Sequence, residues 1–511
     1  MDALVNLLGV MLQCIKTYPL PVLLILITLN LLYNKYGRGL NHIPGPPLAS
    51  WTKLWRLQNV SKGQAHRTII DLHKKYGKLV RTAPNVVDVS DPAMIPVIYN
   101  IKGNFKKVGK IFHTAFYTMA TFYWNKTPQM NLFSMTDEIA HKEENKKIAS
   151  AFSMTSLLQL ESSIDSCSKS FMQRLNEVAG DGKPVDLGVW LQYYTFDAIG
   201  EITFGKKLGF LEQGKDVDRT MKAIDITLTY NAIIGQIPLA HKFLLGIPGL
   251  AYILPQVETM NTILNFTLKA IKSRISSQAE GGEIQINDNE RGEDMLSRWT
   301  SVPASDPLKM DKRDLIAHLS SNVFAGSDTT AIALRAALYH LCKNPVLMAK
   351  LVSEIDEAQA KGNLSNPPSY KEASQLPYLH AVIKESLRIH PSVGLLLERH
   401  VPKGGAVISG SFLPGNTIVG INAWALHYDE ASSEERLREM ERSFFAFGAG
   451  SRTCTGKNVS LMEMVKIIPY LLREFEVGLV EGEGGGGWRV RNMWFVQQRG
   501  LVCVLRPRGK A

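Results

Sequence analysis

A mainly α-helical domain with small β-sheets, tethered by one N-terminal transmembrane helix, is what the sequence predicts. Three observations carry this. An apolar run opens the chain, the segments 316–342 and 376–391 place apolar residues at helical spacing, and a glycine-rich hairpin tip stands near the C-terminus. With 511 residues and 45% hydrophobic content the chain can bury a large core, and no linker divides it.

The N-terminal run "YPLPVLLILITLNLLY" (18–33) follows a less regular one, "ALVNLLGVMLQCI" (3–15), with Lys16 between them. As a helix the run spans ~24 Å, short of a ~30 Å hydrocarbon core, and one more turn with Lys16 snorkelling closes the gap. No small-residue cleavage site follows, and Lys35 and Arg38 lie just beyond, which leaves the rest of the chain in the cytosol. A cleaved signal peptide or a buried core helix is the competing interpretation. Residues 1–40 are thus expected to anchor the chain, 41–50 with "IPGPP" to form a stiff hinge, and 51–511 to form the body. A chain starting near Pro44 is expected to shift toward the soluble fraction, with residual membrane binding through surface patches and an otherwise unaltered body.

The net charge of +11 suits an anionic membrane surface or an acidic protein partner. Basic residues are not interleaved with aromatics, and no nucleic-acid motif occurs, so no nucleic acid is expected to bind. Cys14, Cys167, Cys342, Cys454 and Cys503 are odd in number and widely spaced, which favours a reducing compartment over a disulfide framework. The polar stretch 276–294 reads as an exposed loop, and "EGEGGGGW" (481–488) as a hairpin tip.

Cys454 stands apart from the other cysteines. It sits in "SFFAFGAGSRTCTGKN" (443–458), two residues after Arg452 and just before a helical run. Turn amides, a helix N-terminus and a nearby cation favour its thiolate. After Gly448 and Gly450 the third glycine of a dinucleotide loop is replaced by Thr453, so that reading fails. The glycines instead suit a bulge whose backbone approaches a flat cofactor, with Cys454 as ligand to its iron.

The long segment 316–342 predicts a helix of roughly 30 residues, about 45 Å. Gly326, Asp328 and Thr329 lie mid-way, where hydroxyls bonding back to the preceding turn are expected to open the helix. In "LPYLHAVIKESLRIHP" (376–391), Glu385 and Arg388 share a helix face, and their apolar flanks predict a largely buried pair.

"FAFGAGSRTCTG" resembles the haem-binding signature of the cytochrome P-450 family, Phe-x-x-Gly-x-Arg-x-Cys-x-Gly. Phe447, Gly450, Arg452, Cys454 and Gly456 fall on it, although the phenylalanine can equally be counted from Phe445. "AGSDTT" (325–330) resembles the family's oxygen-activation motif, and Glu385 with Arg388 resembles its Glu-x-x-Arg pair. The order of the motifs matches as well, so the resemblance covers the whole chain. It implies the cytochrome P-450 fold and haem (heme b) held through Cys454. It further implies Gly326 making room for dioxygen, Asp328 and Thr329 managing protons, and Glu385 with Arg388 in a structural role. His141 in "EIAHKEENKKIASAFS" (138–153) is the counterpart of a residue near a haem propionate. The basic residue expected four positions on is Asn145, for which Lys146 or Lys147 is a substitute.

By resemblance the substrate walls are 111–124, the long helix near Val323, and "SVGLLLERH" (392–400). The wording of 45–57 and 66–95 is most similar to fungal pisatin-demethylase-like members, which oxidise natural products by hydroxylation or O-demethylation. The implied activity is insertion of one oxygen atom from O2 into an apolar small molecule. NADPH electrons would come through a membrane flavoprotein reductase, with the body on the cytosolic side of the endoplasmic reticulum membrane. A haem-thiolate isomerase or dehydratase is the in-class competitor, and the Asp328–Thr329 pair argues against it.

One departure favours a non-catalytic haem- or lipid-binding remnant. The family's Pro-Glu-Arg segment, whose arginine joins the Glu–Arg pair, is missing, and the chain reads as deleted near 429–434. Arg436, Arg438 and Arg442 are the available replacements. The shortened segment predicts a strained cysteine turn and poor haem retention.

Overall fold

The computed structural model describes residues 13 and 16–509, apart from 102–103, 108–116, 125–126, 239, 242–243, 245–254, 279–283, 287–291, 429–439, 442 and 481–486. Helix α1 (Pro19–Tyr36) is apolar on all sides and has no buried residue, and its length and composition suffice to cross a membrane. The segment after it is not a free hinge. Leu40 and Ile43 are buried in a cluster with sheet residues Leu79 and Val87, and the Arg81 N–H donates to Pro44 O at 2.7 Å. The Arg81 side chain, only 2% exposed, donates to the carbonyls of Asn34 (2.6 Å), Lys35 (3.3 Å), Leu40 (3.4 Å) and Pro84 (2.7 Å). Burial and the nearby Arg38 bring its pKa down to about 10. The proline segment and the end of α1 therefore complete the core, which corrects the view of residues 41–50 as a hinge.

Gly77, at φ 86°, turns the helix Ala65–Tyr76 into strands β1 (Leu79–Ala83) and β2 (Val86–Val89). The sheet is completed by β3 (Arg399–His400) and β4 (Ile418–Ile421), in the order β1-β2-β4-β3, with β4 parallel to β2. Its strands are almost wholly buried, as a small sheet covered on both faces requires.

The helical body is built on α2 (Glu138–Ile148), α3 (Leu187–Phe204), α4 (Thr220–Ile234), α5 (Lys312–Cys342), α6 (Pro377–Ile389), α7 (Ala423–His427) and α8 (Lys457–Glu474). The N-cap Asp311 of α5 accepts from Asp314 N–H, and the helix then runs 31 residues through the core without interruption. Serine and threonine hydroxyls do bond back, Ser327 to Val323 O (2.8 Å) and Thr329 to Ala325 O (2.9 Å), but they do not open the helix as the sequence suggested.

Near the C-terminus, β5 (Arg489–Met493) and β6 (Phe495–Arg499) form a hairpin. A second sheet joins Phe475–Leu479, Val502–Pro507 and Pro184–Asp186. The stretch 276–294 holds part of a short strand pair, Ile275–Gln278 with Ile284–Ile286, rather than being loop throughout. The tip 481–486, residues 111–116 and the candidate replacements Arg436, Arg438 and Arg442 lie outside the described residues, as do Cys14 and the segment 429–434.

Candidate active site

The cysteine turn is held by backbone geometry. The Cys454 N–H donates to Phe447 O at 2.9 Å, which selects Phe447 over Phe445 as the partner of the cysteine. Phe445 has a different place: it is buried against the Tyr99 ring, 5.0 Å between centroids. Gly448 and Gly450 have φ of 70° and 69°, a region costly for other residues. A Cβ on Gly450 would lie 1.7 Å from Tyr99 O, so close backbone packing itself demands that glycine. Left-handed φ values in the turn occur only at glycines, so no strain is stored there.

Helix α8 begins at Lys457 with no side-chain cap, and the amides of Gly456 and Lys457 point at the Cys454 sulfur. The sulfur is accessible on its cavity side and surrounded by protein on the others. Burial pushes the thiol up, outweighing the two amides and the Lys457 ammonium. The expected thiolate is thus not favoured by the turn alone, and a bound metal cation would favour loss of the proton.

Cys454, Gly456, Arg452, Gly450 and Phe447 line a cavity of about 740 Å3 together with Gly326, Thr329 and His141. Asp328 does not line it. Consecutive helix residues point about 100° apart, and Asp328 lies on the far face of α5, 2% exposed. There it accepts from Gln192 Nε2 on α3 and from Gln497 Nε2 at 3.2 Å. Arg335 Nη2 donates to Gln192 Oε1 at 2.6 Å. Burial raises the Asp328 carboxyl to about 6, with Arg335 and the two amides opposing. The acid and the alcohol are therefore not a contact pair.

Gly326 is also explained differently. A Cβ there would meet Ile199 side-chain atoms at 2.8 Å, so the glycine serves the packing of α5 on α3, while Ala325 is the residue turned openly to the cavity. Val323 faces the core, and Phe324 lines the cavity in its place. Val393, Leu395 and Leu397 line it as expected, and from the stretch 111–124 Ala120 does.

Glu385 and Arg388 pair doubly at 2.7 Å. Their side chains are 55% and 23% exposed, so the pair is not the buried one expected. The buried face of α6 is Leu379, Ile383, Ser386 and Leu387, and Glu385 lies off it. A pair this open to water contributes ~1 kcal/mol or less.

His427 links this helix to the cysteine turn, a role sequence reasoning missed. Arg388 Nη1 donates to His427 O (2.6 Å), His427 Nδ1 lies 3.0 Å from Arg388 O, and Phe445 N–H donates to His427 Nε2 (2.9 Å). That pattern fits only the neutral Nδ1–H tautomer, and burial lowers the imidazole to about 4.

The chain also gathers buried basic side chains at the cavity. Lys107 and Arg452 line it, and burial, with Arg399 nearby, lowers the pKa of both, that of Lys107 well below its ordinary value. Lys107, 5% exposed, donates to Phe133 O (2.8 Å) and faces the rings of Tyr117 and Phe133. Among the described residues it has no carboxylate partner. Arg452 pairs with Glu138 and donates to Leu132 O and Met135 O. His141, lowered to about 4 by burial and by Arg452, adds a polar wall. A buried lysine with no carboxylate partner among the described residues suits an anionic ligand, and the two carboxylates of haem b would meet that need, with Cys454 as ligand to its iron. The residues present fit haem. Lys146 and Lys147 take no part, since they pair with Glu143 and with Glu144 and Asp314.

A long central helix, a cysteine turn at the start of another helix, and a cavity between them define a haem-thiolate protein. The chain matches the Cytochrome P450 family over residues 44–485 and belongs to it, as a cytochrome P450 monooxygenase. It is 38% identical over 475 residues to a cytochrome P450 monooxygenase of Aspergillus terreus, covering 90% of this chain and 94% of that one. It is 32% identical over 499 residues to a pisatin demethylase of Fusarium vanettenii, covering 93% and 92%. The crystal structure of the cytochrome P450DA haem domain superposes with a TM-score of 0.71 at 15% identity, over 91% of this chain and 98% of that one, a likeness of fold.

Proposed function

We propose that the chain oxidises an apolar small molecule of a fungal biosynthetic pathway by hydroxylation or O-demethylation. The balance is RH + O2 + NADPH + H+ giving ROH + NADP+ + H2O, with electrons passed from NADPH by a membrane flavoprotein reductase. In O-demethylation the hydroxylated methyl ether then breaks its C–O bond, leaving the free hydroxyl and formaldehyde. The haem, when bound through Cys454, supplies the oxygen-activating redox chemistry. The observation that carries the reading is the meeting, in one largely apolar cavity, of the Cys454 sulfur, the Thr329 hydroxyl and the Lys107 and Arg452 side chains.

In this reading each residue has one task. The Gly456 and Lys457 amides orient and stabilise the sulfur. Lys107, Arg452 and His141 receive the cofactor's carboxylates. Thr329 Oγ holds a proton at the cavity wall, bonded to Ala325 O, and passes it on while its lone pairs take another from solvent. Asp328, clamped by Gln192 and Gln497, is a positioning residue for that turn of α5. The apolar α1 supports membrane anchoring, and in this reading the body faces the cytosol at the endoplasmic reticulum membrane, within reach of a membrane reductase.

Thr329→Ala tests the assignment. It should keep haem and substrate affinity while diverting reducing equivalents to peroxide. Unchanged coupling between NADPH use and product would remove Thr329 from proton delivery.

A further inference from the structure

Three polar side chains on one face of α5 have hydrogen-bonding capacity that no described residue uses. His318, Ser321 and Asn322 follow the i, i+3, i+4 spacing that puts residues on one helix face, and all three line the cavity, with Asn231 of α4. His318 Nε2 lies 2.8 Å from Glu144 Oε1, and Lys147 lies 2.7 Å from Glu144 Oε2. Although burial opposes it, these two partners hold the Glu144 carboxyl below its ordinary value. An ionised Glu144 can only accept, so Nε2 carries the hydrogen, and Nδ1 has no partner among the described residues.

Asn322 Nδ2 donates to Met295 Sδ at 3.3 Å, a weak acceptor, and its Oδ1 accepts from no described residue. Ser321 Oγ, unlike those of Ser327 and Thr329, makes no bond to the preceding turn or to any other described residue. An amide oxygen, a ring nitrogen and a hydroxyl, each without a partner among the described residues, therefore belong to side chains that line the cavity together. The surrounding wall is apolar, with Leu228, Phe324, Val393 and Phe495. No Asp or Glu lines the cavity among the described residues, so a cationic amine finds no counter-ion there.

We infer that His318, Ser321 and Asn322 form the polar end of the substrate site, and that the substrate is an uncharged, hydroxyl-bearing apolar molecule. Its hydroxyl donates to His318 Nδ1 or Asn322 Oδ1 and accepts from Ser321. Ser321 and Asn322 precede Thr329 by seven or eight helical residues, so the carbon to be oxidised lies roughly 10–12 Å from the hydroxyl. A shorter alcohol would leave its reacting carbon out of reach of the Thr329 end.

This rests on the monooxygenase reading, and the experiment separates the two. Biphenyl, para-hydroxybiphenyl and para-aminomethylbiphenyl, rigid rods of comparable length, are titrated against the haem-loaded full chain by calorimetry. The hydroxylated rod should bind about tenfold tighter than biphenyl, the net gain of satisfying otherwise unpaired polar groups. The ammonium rod should bind more weakly than either. Asn322→Leu and His318→Phe should each bring the ratio towards one with biphenyl affinity within about twofold. Ser321→Ala, which removes one atom, carries the same test if the larger changes disturb folding. Equal affinity for biphenyl and its hydroxylated form, no binding of the hydroxylated form, or a ratio untouched by these substitutions overturns the inference. Turnover with NADPH and reductase is scored separately on 4'-ethyl-4-hydroxybiphenyl, whose ethyl carbons lie roughly 10–11 Å from the oxygen: discrimination without turnover would overturn the monooxygenase reading and leave the polar end standing.

Discussion

His427 shows how one side chain outside any motif can hold a site together. Its ring accepts the Phe445 N–H at the head of the cysteine turn and contacts the backbone of Arg388 on α6. Removing it in His427→Ala leaves the buried Phe445 amide unpaired, a loss of ~1–3 kcal/mol, and haem occupancy should fall. Its folded pKa of about 4 lies below the ordinary 6.5. The unfolded chain therefore binds the extra proton first as pH falls. Stability is full above about 6.5 and is lost progressively towards pH 4, by ~3 kcal/mol from this group. In urea titrations from pH 7 to 4, His427→Gln should show a shallower loss than the parent; equal slopes would exclude His427 as a source.

At this scale the sequence revealed the ligands better than their support. Cys454, Arg452 and the glycines are legible because backbone geometry restricts which residues can stand there. Lys107 and Arg399 were not, because a lysine in "NFKKVG" or an arginine in "LLLERH" looks like any surface charge until tertiary packing buries it beside Cys454. Asp328 and Thr329 were legible as a pair of types. Their divergence around the helix also follows from spacing, since neighbours on a helix do not face each other.

Among the elements, the segment joining α1 to β1 departs most from its sequence reading. "IPGPP" looks like a spacer, yet Arg81 reaches out of the sheet to the carbonyls of Asn34, Lys35 and Leu40. A chain beginning at Tyr33 should keep these partners, with less membrane association and an unchanged haem spectrum. A chain beginning at Pro44 should strand a buried guanidinium, at ~3–5 kcal/mol, and melt several degrees lower. Identical melting of the two truncated chains would contradict the Arg81 account. Helix α5 was legible in position and near-full length from its apolar period, whereas its lack of an opening was not, since back-bonding hydroxyls are compatible with a straight helix. Helix α6 was legible too, but the exposure of Glu385 was not: apolar sequence neighbours do not bury a residue that points off the packed face.

Across the whole molecule, the fold was legible because its motifs stand in a fixed order along one undivided chain, and the helical periods are strong. The small sheets were placed less well, since their strands pair over long separations, such as β2 with β4. The missing Pro-Glu-Arg segment suggested a strained, haem-poor remnant. The described turn is unstrained, with Cys454 bonded to Phe447 and Phe445 to His427, and the buried Lys107, without a carboxylate partner among the described residues, suits an anionic cofactor. Full haem occupancy is accordingly expected of the unmodified chain.

The carbon-monoxide difference spectrum of the reduced, full-length protein tests this most directly. The account predicts a stable thiolate-type band at full haem content, abolished in Cys454→Ala while membrane association persists. A thiol-type band, haem-free protein, or a thiolate band that survives the loss of Cys454 would contradict it.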